Sequence, residues 1–378
     1  MGAGKAAAAM ARAVEEHWQD DVSGLVVTRY RHGVACRKIE VLEAAHPVPD
    51  AAGMAAAAKM LSLVQGLSEE DLVLFLGSGG GSSLLSLPAG GIELEDKQAI
   101  TRALLASGAG IGEINCVRKH LSALKGGRLA LAAAPARVHG LLISDVPNDD
   151  PAVIASGPTV PDPTTREDAR AALNRYGIEI PEGAKILLDD PRSETPKQDH
   201  PRFASVENVI VATAKDALNA AARASEDLGL RAIILNHQME GSARKIANSH
   251  AEAVRAVLNE GDAQPHVLLS GGEATVALEG NGRGGPNTEF LLALALARAP
   301  IGNIWAIACD TDGIDGTGDN AGAFLSPNTL ARARSLGLDP QDYLARNDSY
   351  RFFEALGTLI RTGPTRTNVN DFRAILID

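Results

Sequence analysis

Aromatic residues make up only 3% of this 378-residue chain, so its core must be built from Ala, Leu, Val and Ile packed at close quarters. Cysteine is scarcer still. Cys36, Cys116 and Cys309 lie far apart without metal-ligand spacing, which points to reduced, inert thiols and excludes a disulfide scaffold. None of the nine histidines stands in an H-E-x-x-H or similar pair, so no zinc site is expected. Positive charge is also short: 36 Lys and Arg against 47 Asp and Glu leave a net −11, unlike a nucleic-acid-binding surface. No apolar run approaches the roughly 20 residues of a membrane span, and the alanine-rich start lacks the hydrophobic stretch of a signal peptide. A cytoplasmic protein with no membrane or nucleic-acid partner is expected.

The length suits about two domains. Short apolar strands alternate with alanine-rich helices, which predicts two Rossmann-like α/β domains with mostly parallel sheets. Pro181 to Phe203 is rich in proline and charge and loses periodicity. It reads as a surface linker and places the domains at 1–203 and 204–378. In such sheets ligands bind beyond the carboxyl ends of the strands, so the strand ends deserve the closest reading.

Leu72–Leu76 is a continuous apolar run that turns through Gly77-Ser78-Gly79-Gly80-Gly81 into Ser82 and Ser83. Glycines there let backbone N–H groups converge on an anion, and a following helix would add its dipole; a plain sharp turn is the alternative. Gly2-Ala3-Gly4-Lys5 opens a helix over Ala6 to Trp18, with nothing before the turn where a strand normally stands. Lys5 is unfavourable at a helix start unless an anion shares the site, or else it is a solvated surface charge. Asn115, Arg118, Ser122 and Lys125 share one helical face beside Lys119, fit either to clamp a carboxylate or phosphate or to form a solvated basic face. Asp145, Asp149 and Asp150 follow a buried strand and suit Mg²⁺ or helix caps; Asp310, Asp312 and Asp315 follow another in a D-x-D-G-x-D-G run that lacks the later Glu of a Ca²⁺ loop and favours polar or metal chemistry. Ser156-Gly157-Pro158-Thr159 is a further small, hydroxyl-bearing turn. Ser270-Gly271-Gly272-Glu273 echoes the first glycine turn and reads as the same backbone device used again. Arg283 sits within a glycine-rich loop, Gly280 to Gly285, that either swings it over a ligand or leaves it exposed; a helix from Phe290 to Arg298 follows. Together these describe phosphoryl transfer, which needs positioned N–H groups, cations and Mg²⁺. There is no G-x-x-x-x-G-K-[ST], and G-x-G-x-x-G is only approximated by Gly77, Gly79 and Ser82, which weakens a dehydrogenase reading.

The segments G-A-G-K-A-A-A-A-M-A, E-A-A-H-P-V-P-D, S-G-G-G-S-S-L-L, E-I-N-C-V-R-K-H-L-S-A-L-K-G-G-R-L-A and I-S-D-V-P-N-D-D-P-A-V-I-A-S-G-P-T resemble the glycerate 2-kinase family. S-G-G-E-A-T-V, G-R-G-G-P-N-T-E, D-T-D-G-I-D-G and the closing G-P-T-R-T-N-V-N-D look like its C-terminal MOFRL domain. The resemblance implies phosphorylation of D-glycerate by ATP with Mg²⁺, at the 2-hydroxyl, in a cleft between two α/β domains, by a monomer or homodimer. It puts Lys5 and Arg283 in the chemistry, with Asp145 beside them. Ser78, Gly79, Gly80, Gly81 and Ser82, the basic-face residues, Ser156, Gly157, Thr159, Glu273, Asn287 and Glu289 are expected to bind substrate or phosphate, and Asp149, Asp310 and Asp312 to face the metal. The chain departs from the family pattern at Asn148, where glycine is common, and at Gly77, where a bulkier residue is usual. It also begins at a turn that family members reach through a first strand. The rival readings are a hydroxypyruvate reductase using NAD(P)H and a non-catalytic sugar-phosphate-binding protein.

Overall fold

The computed structural model describes residues 1–261, 264–297 and 303–378. It divides into two compact units, Met1–Val211 and Ala212–Asp378. The first is built on six strands: β1 (Gly2–Ala3), β2 (Gly24–Arg29), β3 (Ile39–Ala44), β4 (Leu72–Gly77), β5 (Arg137–Ile143) and β6 (Val206–Ala212). Their order is β3-β2-β1-β4-β5-β6, and every neighbouring pair from β3 to β5 is parallel. The central place, which the sequence leaves without an obvious strand, is held by two residues: Gly2 lies opposite both Val26 and Leu76. A side chain on Gly2 would meet the Leu76 carbonyl at 2.3 Å, so glycine is needed for this close approach.

Helices cover both faces, and the alternation along β2 shows it. Leu25 and Val27 pack with Ala56, Ala57, Met60 and Val64 of the helix Ala51–Val64, whereas Val26 packs with Ala7 and Ala11 of the helix Ala7–His17. Asp50 starts the former helix by accepting from the Gly53 N–H at 2.9 Å. Alanine on the helix surfaces is what lets a core so poor in aromatics stay close-packed.

The boundary differs from the expected one. β6, assigned by sequence to the second domain, is the edge of the first sheet beside β5. The segment 181–203 is packed rather than a surface linker: it contains the helix Glu182–Asp189, and Thr195 and Arg202 are buried. The Arg202 guanidinium donates to Ala130 O (2.7 Å), Ser205 Oγ (2.8 Å) and the carbonyls of Pro135 and Ala136. Its charge points inward as a staple, and composition alone cannot show that.

The second unit carries β7 (Arg231–Ser242), β8 (His266–Thr275), β9 (Ile304–Asp310), β10 (Gly322–Leu325), β11 (Leu359–Ile360) and β12 (Asp371–Ile377), ordered β11-β10-β9-β12-β8-β7. Only β7 and β8 pair in parallel; β12 runs antiparallel between β8 and β9, and β10 antiparallel between β9 and β11. The expectation of mostly parallel pairing therefore holds for the first sheet, while the second is mixed. β7, β8 and β9 still share one direction, so their carboxyl ends lie on one edge. The helix Pro286–Ala297 is buried along almost its whole length. Arg298, its expected end, lies outside the described residues.

Candidate functional site

In the first unit the strand order reverses direction between β1 and β4, the point where open α/β sheets leave a crevice beyond their carboxyl ends. The loops after these two strands are stitched together. Ser78 N–H donates to Ala3 O (3.1 Å), Lys5 N–H to Gly79 O (2.8 Å), and Ala6 N–H to Ser78 Oγ (3.0 Å). Gly80 stands at φ +81°, where a Cβ would sit 3.0 Å from His46 Cδ2 and 3.5 Å from Lys5 Cγ. A side chain on Gly80 would therefore crowd His46, so glycine lets the loop pack closely against His46 and Lys5. Gly81 lies against the third loop, since its Cβ would meet that of Ala155 at 2.7 Å. The helix that follows, Gly81–Leu84, has only four residues, so the expected dipole contribution after this loop falls away and backbone geometry is what remains.

The third loop is strained. Ala155, Ser156 and Gly157 all have left-handed φ, at 52°, 61° and 57°. Ser82 Oγ and Ser156 Oγ lie 2.7 Å apart, and Ser156 donates to Asn115 Oδ1 at 3.1 Å. Thr159 instead donates to Asn208 Oδ1 (2.6 Å) and ties this loop to β6. Asn148 and Asp149 are left-handed too, at φ 60° and 53°. That explains why glycine suits position 148 and why asparagine is the tolerated replacement. Asp145 and Asp149 are half-buried after β5, and Asp150 caps its own turn by accepting from Ala152 N–H at 2.9 Å.

The basic helix Ile111–His120 splits its charges. Lys119 is buried and paired with Asp162 at 3.3 Å. Arg118, half-buried, has no hydrogen-bond or carboxylate partner among the described residues. Ser122 is buried and accepts from Lys125 N–H (3.3 Å), while the Lys125 ammonium donates to Ser82 O behind the glycine loop. Lys97, which sequence reading missed, is buried and donates to Ser86 O (3.2 Å) and Leu87 O (3.3 Å). It sits in a Glu-Asp-Lys helix start that looks like ordinary surface charge, so the sequence carried no signal for it.

In the second unit the Arg283 loop is pinned, not swinging. Glu279 and Gly280 N–H donate to Asn347 Oδ1, Gly282 N–H donates to Arg346 O, and Arg283 N–H donates to Asp348 Oδ1. The glycines permit close approach: a Cβ on Gly284 would lie 2.3 Å from Ser349 Oγ, and one on Gly285 2.4 Å from Asp315. The guanidinium stacks 3.7 Å from the Tyr350 ring centroid and pairs with Asp319 at 3.0 Å. Tyr350 Oη donates to Asp319 (2.7 Å), and Arg361 also reaches Asp319 (3.3 Å). Asp319, Tyr350 and Arg361 were not foreseen, because nothing local marks residues that converge from separate segments.

Several other expected site residues serve the framework here. Asp315 accepts from Asn287 N–H (2.9 Å), Thr288 N–H (3.0 Å) and Thr288 Oγ1 (2.8 Å), capping the helix Pro286–Ala297; burial raises its pKa to about 6 against these bonds. Asn287 donates to the buried Asp371 (2.6 Å), and Glu289 accepts from Arg244 and Asn347, each at 2.9 Å. Glu273 is exposed and Asp310 half-buried. Asp312 is buried and accepts from Ile314 N–H at 2.7 Å. Among the described residues no group of three or more His, Cys, Asp or Glu is arranged to hold a metal ion. Asp149 belongs to one unit and Asp310 and Asp312 to the other.

Comparison with known proteins covers both units. Residues 1–189 match the family described as a domain of unknown function (DUF4147), and residues 266–371 match the MOFRL family. A provisionally named hydroxypyruvate reductase of Agrobacterium vitis is 54% identical across the whole chain and 86% of that protein. The D-glycerate 2-kinase of Thermotoga maritima is 41% identical over 97% of the chain and 88% of that protein. The crystal structure of glycerate kinase from Thermotoga maritima superposes with a TM-score of 0.90 at 41% identity, covering 100% of this chain and 90% of that one. With two family models in the same order and full-length likeness in sequence and fold, the chain belongs to the glycerate 2-kinase family.

Proposed function

We propose that this protein transfers the terminal phosphoryl group of ATP to the 2-hydroxyl of D-glycerate, with Mg²⁺. The observation that carries the reading is the stitched pair of loops at the β1/β4 switch point, where Gly80 lets the glycine loop pack against His46 and Lys5. Phosphoryl transfer makes little covalent demand on a protein and much demand on the placement of charge around oxygens. Lys5 supplies a point charge at the glycine loop. Arg283, held flat by Tyr350 and Asp319, supplies a delocalised one for the transferring group. Asp145 is the carboxylate assigned to the attacking hydroxyl. Mg²⁺ needs only one or two carboxylates beside phosphate oxygens and water, and it would neutralise charge on the nucleotide. Asp149 in the first unit and Asp310 in the second are each a half-buried strand-end carboxylate of the kind such an ion takes; Asp312, buried and bonded to Ile314 N–H, is not.

The test is turnover of ATP with D-glycerate and Mg²⁺, followed by phosphorus NMR. A 2-phosphoglycerate resonance that disappears in Lys5→Ala and Arg283→Ala, with melting temperatures retained, is expected. A 3-phosphoglycerate resonance would overturn the regiochemistry, and no turnover would overturn the reaction. The name of the Agrobacterium vitis relative supports a second reading, reduction of hydroxypyruvate. The single-turn helix after the glycine loop is a poor match to a dinucleotide fingerprint. NADH or NADPH oxidation by hydroxypyruvate, measured in the same preparation, decides between them.

A further inference from the structure

Lys97 and Lys125 both donate into one short segment, residues 82–87, just past the glycine loop, and Arg118 lies near the two lysines. Lys97 is 3% exposed and Lys125 2%, and their ammonium groups hold only backbone carbonyls: Ser86 O and Leu87 O for the first, Ser82 O for the second. Arg118 lies close enough to lower the proton affinity of both. Among the described residues no carboxylate pairs with any of the three. The neighbouring Lys119 behaves differently, since it has Asp162 as its partner. Three basic groups in a place of low dielectric, without a counter-ion, either give up protons or take an anion that completes them.

Resting on the glycerate reading above, we infer that Lys97, Arg118 and Lys125 form the site for the substrate's carboxylate, and that Lys97 is a specificity-determining residue of this enzyme. Two donors close by have no acceptor of their own among the described residues. One is the Arg118 guanidinium; the other is Asn115 Nδ2, one helical turn away, whose Oδ1 is already held by Ser156. A planar fork plus one amide suits a carboxylate. The two lysines behind it are too enclosed to follow a flexible triphosphate. Burial, with Arg118 beside it, brings the Lys97 pKa down to about 7, and Lys125 is pushed well below its usual range by burial, Lys97 and Arg118. An arriving carboxylate restores the charged lysine, so binding takes up a proton. Affinity then falls as pH rises above about 7, by roughly ten-fold per unit for one linked proton.

The experiment is calorimetric titration of D-glycerate into the full chain, without nucleotide, in two buffers of different ionisation enthalpy at pH 6.5 and 8.5. KM for glycerate and for ATP is measured beside it. In Lys97→Met and Arg118→Gln, glycerate affinity should fall ten-fold or more while KM for ATP stays within about two-fold. Proton uptake should vanish in Lys97→Met. Lys97→Met keeps the aliphatic stem and removes an uncompensated charge, so it should melt no lower than the parent. A rise in KM for ATP instead would assign the cluster to nucleotide phosphate and overturn the inference. Unchanged affinity for glycerate with a lowered melting temperature would make the cluster structural, with the same result. Because binding is read directly, Lys97-dependent glycerate binding without phosphoryl transfer would sink the kinase reading and leave this one standing; absence of glycerate binding to the parent would sink this one.

Discussion

Replacing Arg373 by methionine tests how the second unit is held together. Arg373 is 0% exposed and lies in the middle of β12, opposite Ser270 of β8. Its guanidinium pairs with Asp371, which is 6% exposed, reaches Gly271 O at 3.4 Å and stands 5.3 Å from the Phe290 ring centroid. Asp371 also accepts from Ala274 N–H at 2.9 Å and from Asn287 Nδ2 at 2.6 Å. Methionine fills much of the arginine stem, so the cavity term is small. What is lost is one charge-assisted hydrogen bond, worth about 1.5–3 kcal/mol, and what is left is a buried carboxylate without its cation. Breaking such a pair from one side costs about 3–5 kcal/mol, with no solvent discount at this depth. Burial already raises the Asp371 pKa, and without Arg373 it rises further, so the loss should be larger at pH 8 than at pH 5. Urea unfolding in a Trp18→Phe background leaves Trp305 of β9 to report the second unit alone. Arg373→Met/Asp371→Asn should recover most of the loss, because it removes the stranded charge. A single-variant loss under about 1 kcal/mol, or a double variant worse than the single, would refute the reasoning.

His250 Nδ1 donates to Ile246 O (2.8 Å), its Nε2 accepts from Ser270 Oγ (2.7 Å), and burial, with Arg373 nearby, lowers its pKa to about 4. A base depressed on folding stabilises the fold above its free value of about 6.5 and loses that contribution as pH falls toward 4. The span is on the order of 3 kcal/mol, and His250→Phe should flatten the measured stability between pH 6.5 and 4. Gly81→Ala would drive a methyl to 2.7 Å from Ala155 Cβ and 2.8 Å from Ala3 O, both fixed by backbone. It should cost about 1–3 kcal/mol and at least ten-fold in turnover, whereas Gly90→Ala, with nothing within 4 Å of its Cβ, should do neither. Equal melting temperatures for the two would show that the loops around Gly81 are looser than their contacts indicate.

What the sequence made legible was local. The apolar runs of β2 and β4, the turn after β4 and the acids after β5 all fall where strand pattern and turn chemistry put them, because burial on both faces leaves a continuous apolar signature. Non-local partnership was not legible. Arg118 and Lys119 are adjacent in sequence but point to different surroundings, as 100° per residue on a helix requires; Asp162, which takes Lys119, lies 43 positions away. The insertion of β12 between β8 and β9 is equally invisible, since a strand's pattern records that it is buried and not beside whom. The proline- and charge-rich stretch 181–203 misled for a related reason: Arg202 is satisfied by carbonyls from residues 130–136, which no local rule anticipates.

The two Ser-Gly-Gly segments show why a glycine motif does not by itself make an anion loop. After β4 the chain leaves the sheet, and Gly80 turns its missing side chain toward Lys5 and His46, so the loop comes close to both. In the second unit the strand β8 runs straight through Ser270, Gly271 and Gly272 to Thr275. Gly272 is also left-handed, at φ +104°, but its Cβ would strike Met239 N and O at 2.2 and 2.3 Å; Gly271 faces His237 O at 2.9 Å. These glycines are occupied by the irregular approach of β7 against β8, and Ser270 is occupied by His250. The same three letters therefore do different things: one set withholds a side chain from His46 and Lys5 at a strand end, the other makes room for the protein's own backbone. It follows that a side chain at Gly80 should act first on the reaction and one at Gly272 first on folding, since the former would meet the side chains of His46 and Lys5 and the latter would meet backbone.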